Sequence, residues 1–210
     1  MFAESSGAPS AYGVPSQTSA FDLMVIGASF GGPKAVEQLL AALPARTRMP
    51  VVVCQHMAPG FITMWAERLD AKSRVGVVEA TNRVRLEPGH AYIAPIGQHL
   101  RFMRSGERLL ARLDDDFADS LHVPSIDIMM SSAAQQLGSR VLAVLLTGLG
   151  SDGASGMLAV RSAGGHTIAE SAETAASHSM PGSAAKLGAV VEEMPLDRII
   201  ARVSELASRG

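Results

Sequence analysis

A buried strand that runs into a glycine turn and then a helix is the feature that most constrains this chain. The apolar run Leu23 to Ile26 is followed by Gly27-Ala28-Ser29-Phe30-Gly31, and Pro33 marks the start of a helix. This is the Gly-x-Ser-x-Gly pattern in the strand–turn–helix context that a nucleophile elbow requires. Such a turn exposes the serine hydroxyl and directs the amides that follow it, at the positive end of the helix dipole, toward a forming oxyanion. The first hypothesis is therefore acyl chemistry at Ser29.

The composition indicates a single aliphatic domain. The chain has 210 residues, of which 47% are hydrophobic and only 4% aromatic, and this length suits one sizeable α/β domain. We expect residues 1–20, rich in Ser, Gly, Ala and Pro, to be a disordered tail or linker. Residues 21–208 are expected to form the domain.

Charge and cysteine content narrow the class of partner. The net charge of -2 without a basic stripe argues against nucleic acid as a partner. No apolar run is long enough to insert into a membrane, and residues 1–20 do not resemble a signal peptide. A lone cysteine, Cys54, lies within an apolar strand as an inert core thiol and suits a reducing compartment. A cytoplasmic location is the expectation.

The order of elements predicts a doubly wound α/β fold. The elbow leads into a helix with an apolar stripe, and Val51 to Cys54 is an uninterrupted apolar run typical of a parallel strand covered on both faces. Repetition of strand, loop and helix predicts a mostly parallel sheet with helices on both faces. Within residues 75–113 four short strands are separated by turns, and we expect them to be antiparallel additions, including a hairpin, at the sheet edge. Val190-Val191 is expected to be the last short strand.

Three loops at the carboxyl ends of strands carry reactive side chains. Ser29 follows the first strand, His56 the second, and Asp152 the apolar strand Val141 to Leu146. In open α/β sheets these loops share one edge, where ligands bind. A serine nucleophile needs a base within reach, and the base needs an anion that fixes its tautomer. The order Ser, His, Asp differs from the Ser, Asp, His order of α/β hydrolases, so the triad would be convergent.

Each member of this triad also has an ordinary structural interpretation. The elbow pattern arises by chance, a histidine at a strand end is often structural, and Asp152 could be only the N-cap of the helix that follows it. Dinucleotide binding is disfavoured, because Ser29 replaces the central glycine of the fingerprint and no acidic residue ends the second strand. No His, Cys or acidic residues fall at a recognised zinc spacing, and no cofactor is indicated. The remaining histidines, His122 among them, are weaker candidates.

Several motifs together resemble a known family. They are Gly27 to Pro33, Gln55 to Met57, Leu86 to Pro95, Pro124 to Asp127, Leu146 to Gly153 and Met180 to Gly182. In these motifs the chain resembles the catalytic domain of the chemotaxis protein-glutamate methylesterases, the CheB type. The resemblance implies hydrolysis of glutamate γ-methyl esters on the helical signalling region of chemoreceptors, with glutamine deamidation at the same site. It also implies Ser29 as nucleophile, His56 as base and Asp152 as its partner, with the site lined by Phe30, Gly31, Leu149 and Gly150.

Two departures from the family pattern leave alternatives open. Phe30 stands where threonine is usual and Leu149 where methionine is common. A catalytically weak receptor-binding or scaffold member, or a hydrolase for another ester, therefore remains an alternative. Typical members also carry an N-terminal receiver domain, so this sequence is expected to be either a catalytic domain separated from its regulatory receiver domain or a stand-alone enzyme.

Overall fold

A computed structural model of the protein describes residues 21–115 and 121–208. The predicted tail, residues 1–20, lies outside these residues. Within these two ranges the strands are β1 (Leu23–Ala28), β2 (Val51–Gln55), β3 (Gly76–Glu79), β4 (His90–Ile93), β5 (His99–Ser105), β6 (Arg108–Asp114), β7 (Val141–Leu145), β8 (His166–Glu170) and β9 (Glu192–Met194). The helices are α1 (Gly32–Ala42), α2 (Ile62–Lys72), α3 (Ile126–Leu137), α4 (Ala154–Ser162), α5 (Ser179–Lys186) and α6 (Leu196–Ser208), with a short 3₁₀ helix at Gly138–Arg140.

Seven strands form one sheet in the order β3-β4-β2-β1-β7-β8-β9, and every pairing in it is parallel. Strands β5 and β6 pair antiparallel in a separate two-stranded sheet. The predicted class, a doubly wound, mostly parallel sheet with helices on both faces and an antiparallel hairpin, is confirmed. The hairpin, however, forms its own sheet instead of extending the edge of the seven-stranded one as predicted.

Alternation along the strands builds a core on each face of the sheet. In β1, Leu23 and Val25 face one core together with α3, α4, α5 and the β5–β6 hairpin. Met24 and Ile26 face the other core together with α1, α2 and α6. All six residues of β1 are buried, as a central strand covered on both sides requires. Full burial of one such aliphatic side chain contributes about 1.5–3 kcal/mol, so the strands nearest the site are held firmly.

The prediction of antiparallel strands throughout residues 75–113 is wrong for the first two. Strand β3 pairs parallel with β4, and β4 pairs parallel with β2. Residues 80–89 form a crossover that returns the chain in the same direction, which a sequence of short strands and turns does not reveal. The last strand is also displaced: it is β9, Glu192–Met194, instead of Val190-Val191.

The strand order creates a crevice between β1 and β7. From β1 the chain moves to β2 on one side, whereas from β7 it moves to β8 on the other side. Neighbouring strands whose connections diverge leave a gap beyond their carboxyl ends, and this is where doubly wound folds bind ligands. The loops after β1, β2 and β7 all lie at this end of the sheet.

Candidate active site

Ser29 lies at the turn between β1 and α1. Its amide donates to the Thr147 carbonyl (3.0 Å), and its carbonyl accepts from the Gly32 amide (2.9 Å). Gly31 is the N-cap of α1 and has a positive φ of 81°, a conformation that glycine adopts without strain. The Ser29 side chain is partly exposed. The turn has the form that the sequence predicted for an elbow.

A second glycine lets the loop after β7 approach the serine. A Cβ added at Gly148 would lie 2.1 Å from Met180 Sδ and 2.8 Å from Ser29 Cβ. Real side chains do not occupy such space, so only glycine permits this close approach. The Gly148 backbone therefore forms one wall beside Ser29.

His56 is attached to the elbow by backbone and side-chain bonds. Its amide donates to the Ala28 carbonyl (3.0 Å). The buried amide of Gln55 donates to both the Ser29 and the His56 carbonyls, at 2.8 Å each. Gln55 thus joins the two loops that carry the predicted nucleophile and base. Only the position of Gln55 at the end of β2 could have indicated this role in advance.

Asp152 pairs with His56 in the crevice. Its Oδ2 lies 2.8 Å from His56 Nε2, and Asp152 is only 9% exposed. The carboxylate also accepts from Ser125 Oγ (3.0 Å) and from the Ile126 (2.8 Å) and Asp127 (2.9 Å) amides. The interpretation of Asp152 as the N-cap of the helix that follows it is wrong, because Gly153 is the N-cap of α4. The Asp152 carboxylate instead accepts hydrogen bonds from the first backbone amides of α3.

These bonds keep Asp152 ionised. Burial alone would raise the pKa of Asp152, but the hydrogen bonds from His56 and from the Asp127 and Ile126 amides outweigh it and lower the pKa below its ordinary value. An anion at the N-terminus of a helix is also favoured by the helix dipole. Asp152 is therefore suited to hold a proton on one nitrogen of His56.

The pairing with Asp152 defines which nitrogen of His56 can act as a base. Since a carboxylate only accepts, the hydrogen-bond pattern assigns the ring proton to Nε2. The other nitrogen, Nδ1, is buried and has no hydrogen-bond partner among the described residues. The structure thus brings His56 and Asp152 into direct contact and places Ser29 on the adjacent loop, without a hydrogen bond between Ser29 and Nδ1.

Of the remaining predicted residues, Phe30 and Gly31 follow Ser29 directly, and Leu149 and Gly150 follow Gly148 in the loop after β7. Phe30 and Leu149 each expose 58% of their surface, and Gly150 has a positive φ of 88°. Within residues 21–115 and 121–208 no internal acceptor is recorded for the amides of Phe30 and Gly31. Two amides at the start of α1 are therefore available for an oxyanion, as an elbow requires.

Comparison with known proteins identifies the family to which the chain belongs. The sequence profile described as CheB methylesterase matches residues 24–203. The chain belongs to this family. A protein-glutamate methylesterase/protein-glutamine glutaminase 2 from Pseudomonas aeruginosa is 43% identical over 187 residues, which cover 89% of this chain and 53% of the relative. A protein of the same type from Chromohalobacter salexigens is 42% identical over 185 residues, covering 88% and 52%.

A solved structure agrees with the fold. The crystal structure of the Thermotoga maritima CheB methylesterase catalytic domain superimposes with a TM-score of 0.86 at 35% identity, covering 90% of this chain and 100% of that one. The present chain spans about half the length of the curated CheB relatives that it matches.

Other candidates in the sequence do not join this site. Burial raises the pKa of the Cys54 thiol well above its ordinary value, so it is a poor nucleophile. In the described part of the chain no three His, Cys, Asp or Glu side chains form a group that could hold a metal ion. The same residues contain no helix long and apolar enough to cross a membrane.

Proposed function

We propose that the chain is a serine hydrolase that removes methyl groups from glutamate γ-methyl esters on chemoreceptors, with residues 21–208 as the catalytic domain. The observation that supports this most is the His56–Asp152 pair, which leaves a buried, proton-accepting nitrogen beside the elbow of Ser29. The names of the relatives, protein-glutamate methylesterases, supply the substrate class. A cytoplasmic location and regulation by a receiver domain belong to the same proposal.

The proposed reaction has two halves. Ser29 Oγ attacks the ester carbonyl while His56 Nδ1 takes the hydroxyl proton. The bond between the acyl carbon and the methoxy oxygen then breaks as His56 gives that proton to the departing oxygen, which leaves as methanol. Water, deprotonated by the same nitrogen, attacks the acyl-serine; the bond to Ser29 Oγ breaks, His56 returns the proton to that oxygen, and glutamate is released. Nδ1 has no hydrogen-bond partner among the described residues, and in this proposal its bond with Ser29 forms when substrate binds, since catalytic hydrogen bonds are often long in the resting enzyme.

Charge stabilisation has two sources. In this proposal the Phe30 and Gly31 amides at the start of α1 bind the oxyanion, and the glycine loop around Leu149 and Gly150 lines the site. Asp152 stabilises the imidazolium that forms on His56. Loss of one oxyanion donor typically lowers turnover by a factor of about 10²–10³. The backbone conformation of the elbow, which directs the Phe30 and Gly31 amides, is therefore as important for the rate as the triad side chains.

Deamidation of glutamine can use the same groups. The carbonyl of a glutamine side chain is attacked in the same way, and its C–N bond breaks as His56 gives the proton to the departing nitrogen, which leaves as ammonia. The relatives' names include protein-glutamine glutaminase. We include this activity in the proposal.

A second function is favoured by one residue. Phe30 places an exposed aromatic ring directly after the nucleophile, at the position where the family usually has threonine. A receptor-binding member with weak turnover would tolerate this ring, and so would a hydrolase for a different ester. The first would bind methylated receptor without releasing methanol, and the second would cleave small esters but not the receptor.

Methanol release from a methylated chemoreceptor tests the proposal. We expect activity in the wild type and a loss of about a thousandfold or more in Ser29→Ala, because the nucleophile is removed. Ser105→Ala, at the exposed end of β5, is the matched control and should retain full activity. Equal methanol release by wild type and Ser29→Ala would show that the mechanism is wrong.

A further inference from the structure

A second histidine ring covers the proposed base. The rings of His56 and His122 are stacked, with centroids 4.2 Å apart and an angle of 18° between their planes. His122 is exposed and lies four residues before α3. In the sequence it is separated from His56 by more than sixty residues, so no spacing pattern connects them.

The segment that carries His122 also holds Asp152. Ser125 Oγ and the Ile126 and Asp127 amides all donate to the Asp152 carboxylate. Residues 122–127 therefore contact both members of the His56–Asp152 pair: the carboxylate through hydrogen bonds, and the imidazole through its face. This arrangement makes the start of α3 a support for the whole pair.

The stack supplies a restraint that the hydrogen bond does not. The single bond from Nε2 to Asp152 fixes one edge of the His56 ring, but the ring can still pivot about that bond and move Nδ1 away from Ser29. No other hydrogen bond holds the ring, because Nδ1 has no partner among the described residues. Aromatic contact is attractive and blocks motion toward the covered face.

We propose that His122 is a positioning residue for His56, and that its stacked ring keeps Nδ1 directed at Ser29. The kinetic test of this proposal rests on the proposed function, because it measures methanol release, whereas the spectroscopic test does not. The contact between the two rings is face to face. Position 122 therefore requires an aromatic ring and does not require a group that transfers protons. Phenylalanine at position 122 should therefore hold the His56 ring in place as histidine does, whereas alanine should not.

The kinetic test compares His122→Ala and His122→Phe in methanol release from methylated receptor. We expect His122→Ala to lower kcat about tenfold with KM within about twofold, since a misplaced base affects the chemical step and not substrate binding. His122→Phe should restore kcat to within about threefold of the wild type. His90→Ala, an exposed histidine of β4, is the control and should change neither constant. Unchanged kcat in His122→Ala, or equal impairment in both variants, would overturn the proposal.

A spectroscopic test does not depend on turnover. In ¹⁵N-resolved NMR of the imidazole groups, the wild type should show His56 as one tautomer with the proton on Nε2. His122→Ala should broaden or shift these signals, whereas His122→Phe should preserve them. Identical His56 signals in wild type and His122→Ala would overturn the positioning role even if the chain hydrolyses no receptor ester. Failure of the proposed function would instead appear as wild-type activity in Ser29→Ala.

Discussion

Asp127 and Asp152 each cap the helix that begins beside the other. Asp152 accepts the Ile126 and Asp127 amides in the first turn of α3. Asp127, in turn, accepts through Oδ1 the Gly153 (2.9 Å) and Gly156 (2.6 Å) amides at the start of α4. The first amides of a helix have no acceptor within that helix, and here the acceptor for each N-terminus is a carboxylate from beside the other. We call this reciprocal arrangement the cap exchange. This exchange fixes the position of Asp152 relative to His56.

The pKa values of the two carboxyl groups are shifted in opposite directions. Burial raises the pKa of Asp127, the Gly156 amide opposes this shift, and the nearby charge of Asp152 adds to it. The pKa of Asp152 is lowered, because the bonds from His56 and the α3 amides outweigh its burial. The arrangement therefore favours the charge on Asp152, the carboxylate that contacts the base.

Removal of the Asp127 cap should affect stability and activity together. In Asp127→Ala the Gly153 and Gly156 amides lose their acceptor, and we expect the free energy of unfolding to fall by about 1–2 kcal/mol. Because Gly153 adjoins Asp152, kcat should also fall about tenfold. Urea denaturation and methanol release from methylated receptor measure the two effects.

Asp127→Asn is the matched control for this loss. Asparagine retains an Oδ1 that can accept both amides, so stability should remain within about 0.5 kcal/mol of the wild type. If the alanine variant is as stable and as active as the asparagine variant, the cap exchange has no role in holding the site.

Acid should remove the contribution of Asp152 to stability. A carboxyl whose folded pKa is depressed stabilises the fold above its unfolded pKa of about 3.9, and this contribution is lost as pH falls through the lower folded value. In Asp152→Asn the charge is absent, and the amide of asparagine opposes the proton on His56 Nε2. We therefore expect Asp152→Asn to be about 2 kcal/mol less stable than wild type at pH 7, with a smaller difference near pH 3.

Urea denaturation at several pH values between 7 and 3 measures this difference. Glu107→Gln serves as the control, because Glu107 is an exposed turn carboxyl and its loss should give a small, nearly constant difference. A gap between wild type and Asp152→Asn that stays constant or widens toward pH 3 would contradict the assigned direction of the Asp152 pKa.

Local patterns were sufficient to predict most of the fold and the residues of the candidate triad. Apolar runs identified the central strands, and serine is a residue type that favours the N-cap position, which Ser125 occupies in α3 with its side chain accepting from the Ile128 amide. These features depend on a few neighbouring residues. The loops that carry Ser29, His56 and Asp152 could be placed on one edge because parallel strands share a direction.

Contacts between distant segments could not be predicted in this way. The parallel direction of β3 and β4 depends on a crossover, and the contact of His122 with His56 depends on how residues 121–125 return over the β2 loop. The roles of Gln55 and Thr147 also arise between strands, through side-chain bonds to carbonyls of another loop. A single sequence records residue types at these positions but not which carbonyl each will reach.

Thr147 offers a test of one such contact. Its hydroxyl lies 2.9 Å from the Phe30 carbonyl and 3.2 Å from the Ser177 carbonyl, and it accepts from the Ser177 amide at 2.9 Å. Thr147→Val keeps the shape but removes the partner of the Phe30 carbonyl and of the Ser177 amide, whereas the Ser177 carbonyl still accepts from the Gly148 amide (3.0 Å). The loss should lower the free energy of unfolding by about 1–2 kcal/mol. Since the Phe30 carbonyl belongs to the elbow, turnover should also fall.

Thr147→Ser keeps the hydroxyl and is the control for this substitution. It should lie within about 1 kcal/mol of the wild type and retain most of the methanol release, measured beside the valine variant under the same conditions. Equal behaviour of serine and valine at this position would mean that the hydroxyl does not hold the elbow in place.

Phe30→Thr tests the residue by which this chain departs most from its family. The Phe30 ring is 58% exposed, and the loop is held through the Phe30 carbonyl rather than its side chain, so stability should change by less than about 0.5 kcal/mol. Threonine removes the ring from the entrance and adds a hydroxyl beside the oxyanion amides. We therefore expect kcat/KM on methylated receptor to rise about tenfold or more. Phe61→Thr, another exposed phenylalanine, controls for loss of an aromatic ring and should give no gain. A fall in kcat/KM for Phe30→Thr would mean that the ring contacts the substrate and would favour an ester other than the receptor methyl ester.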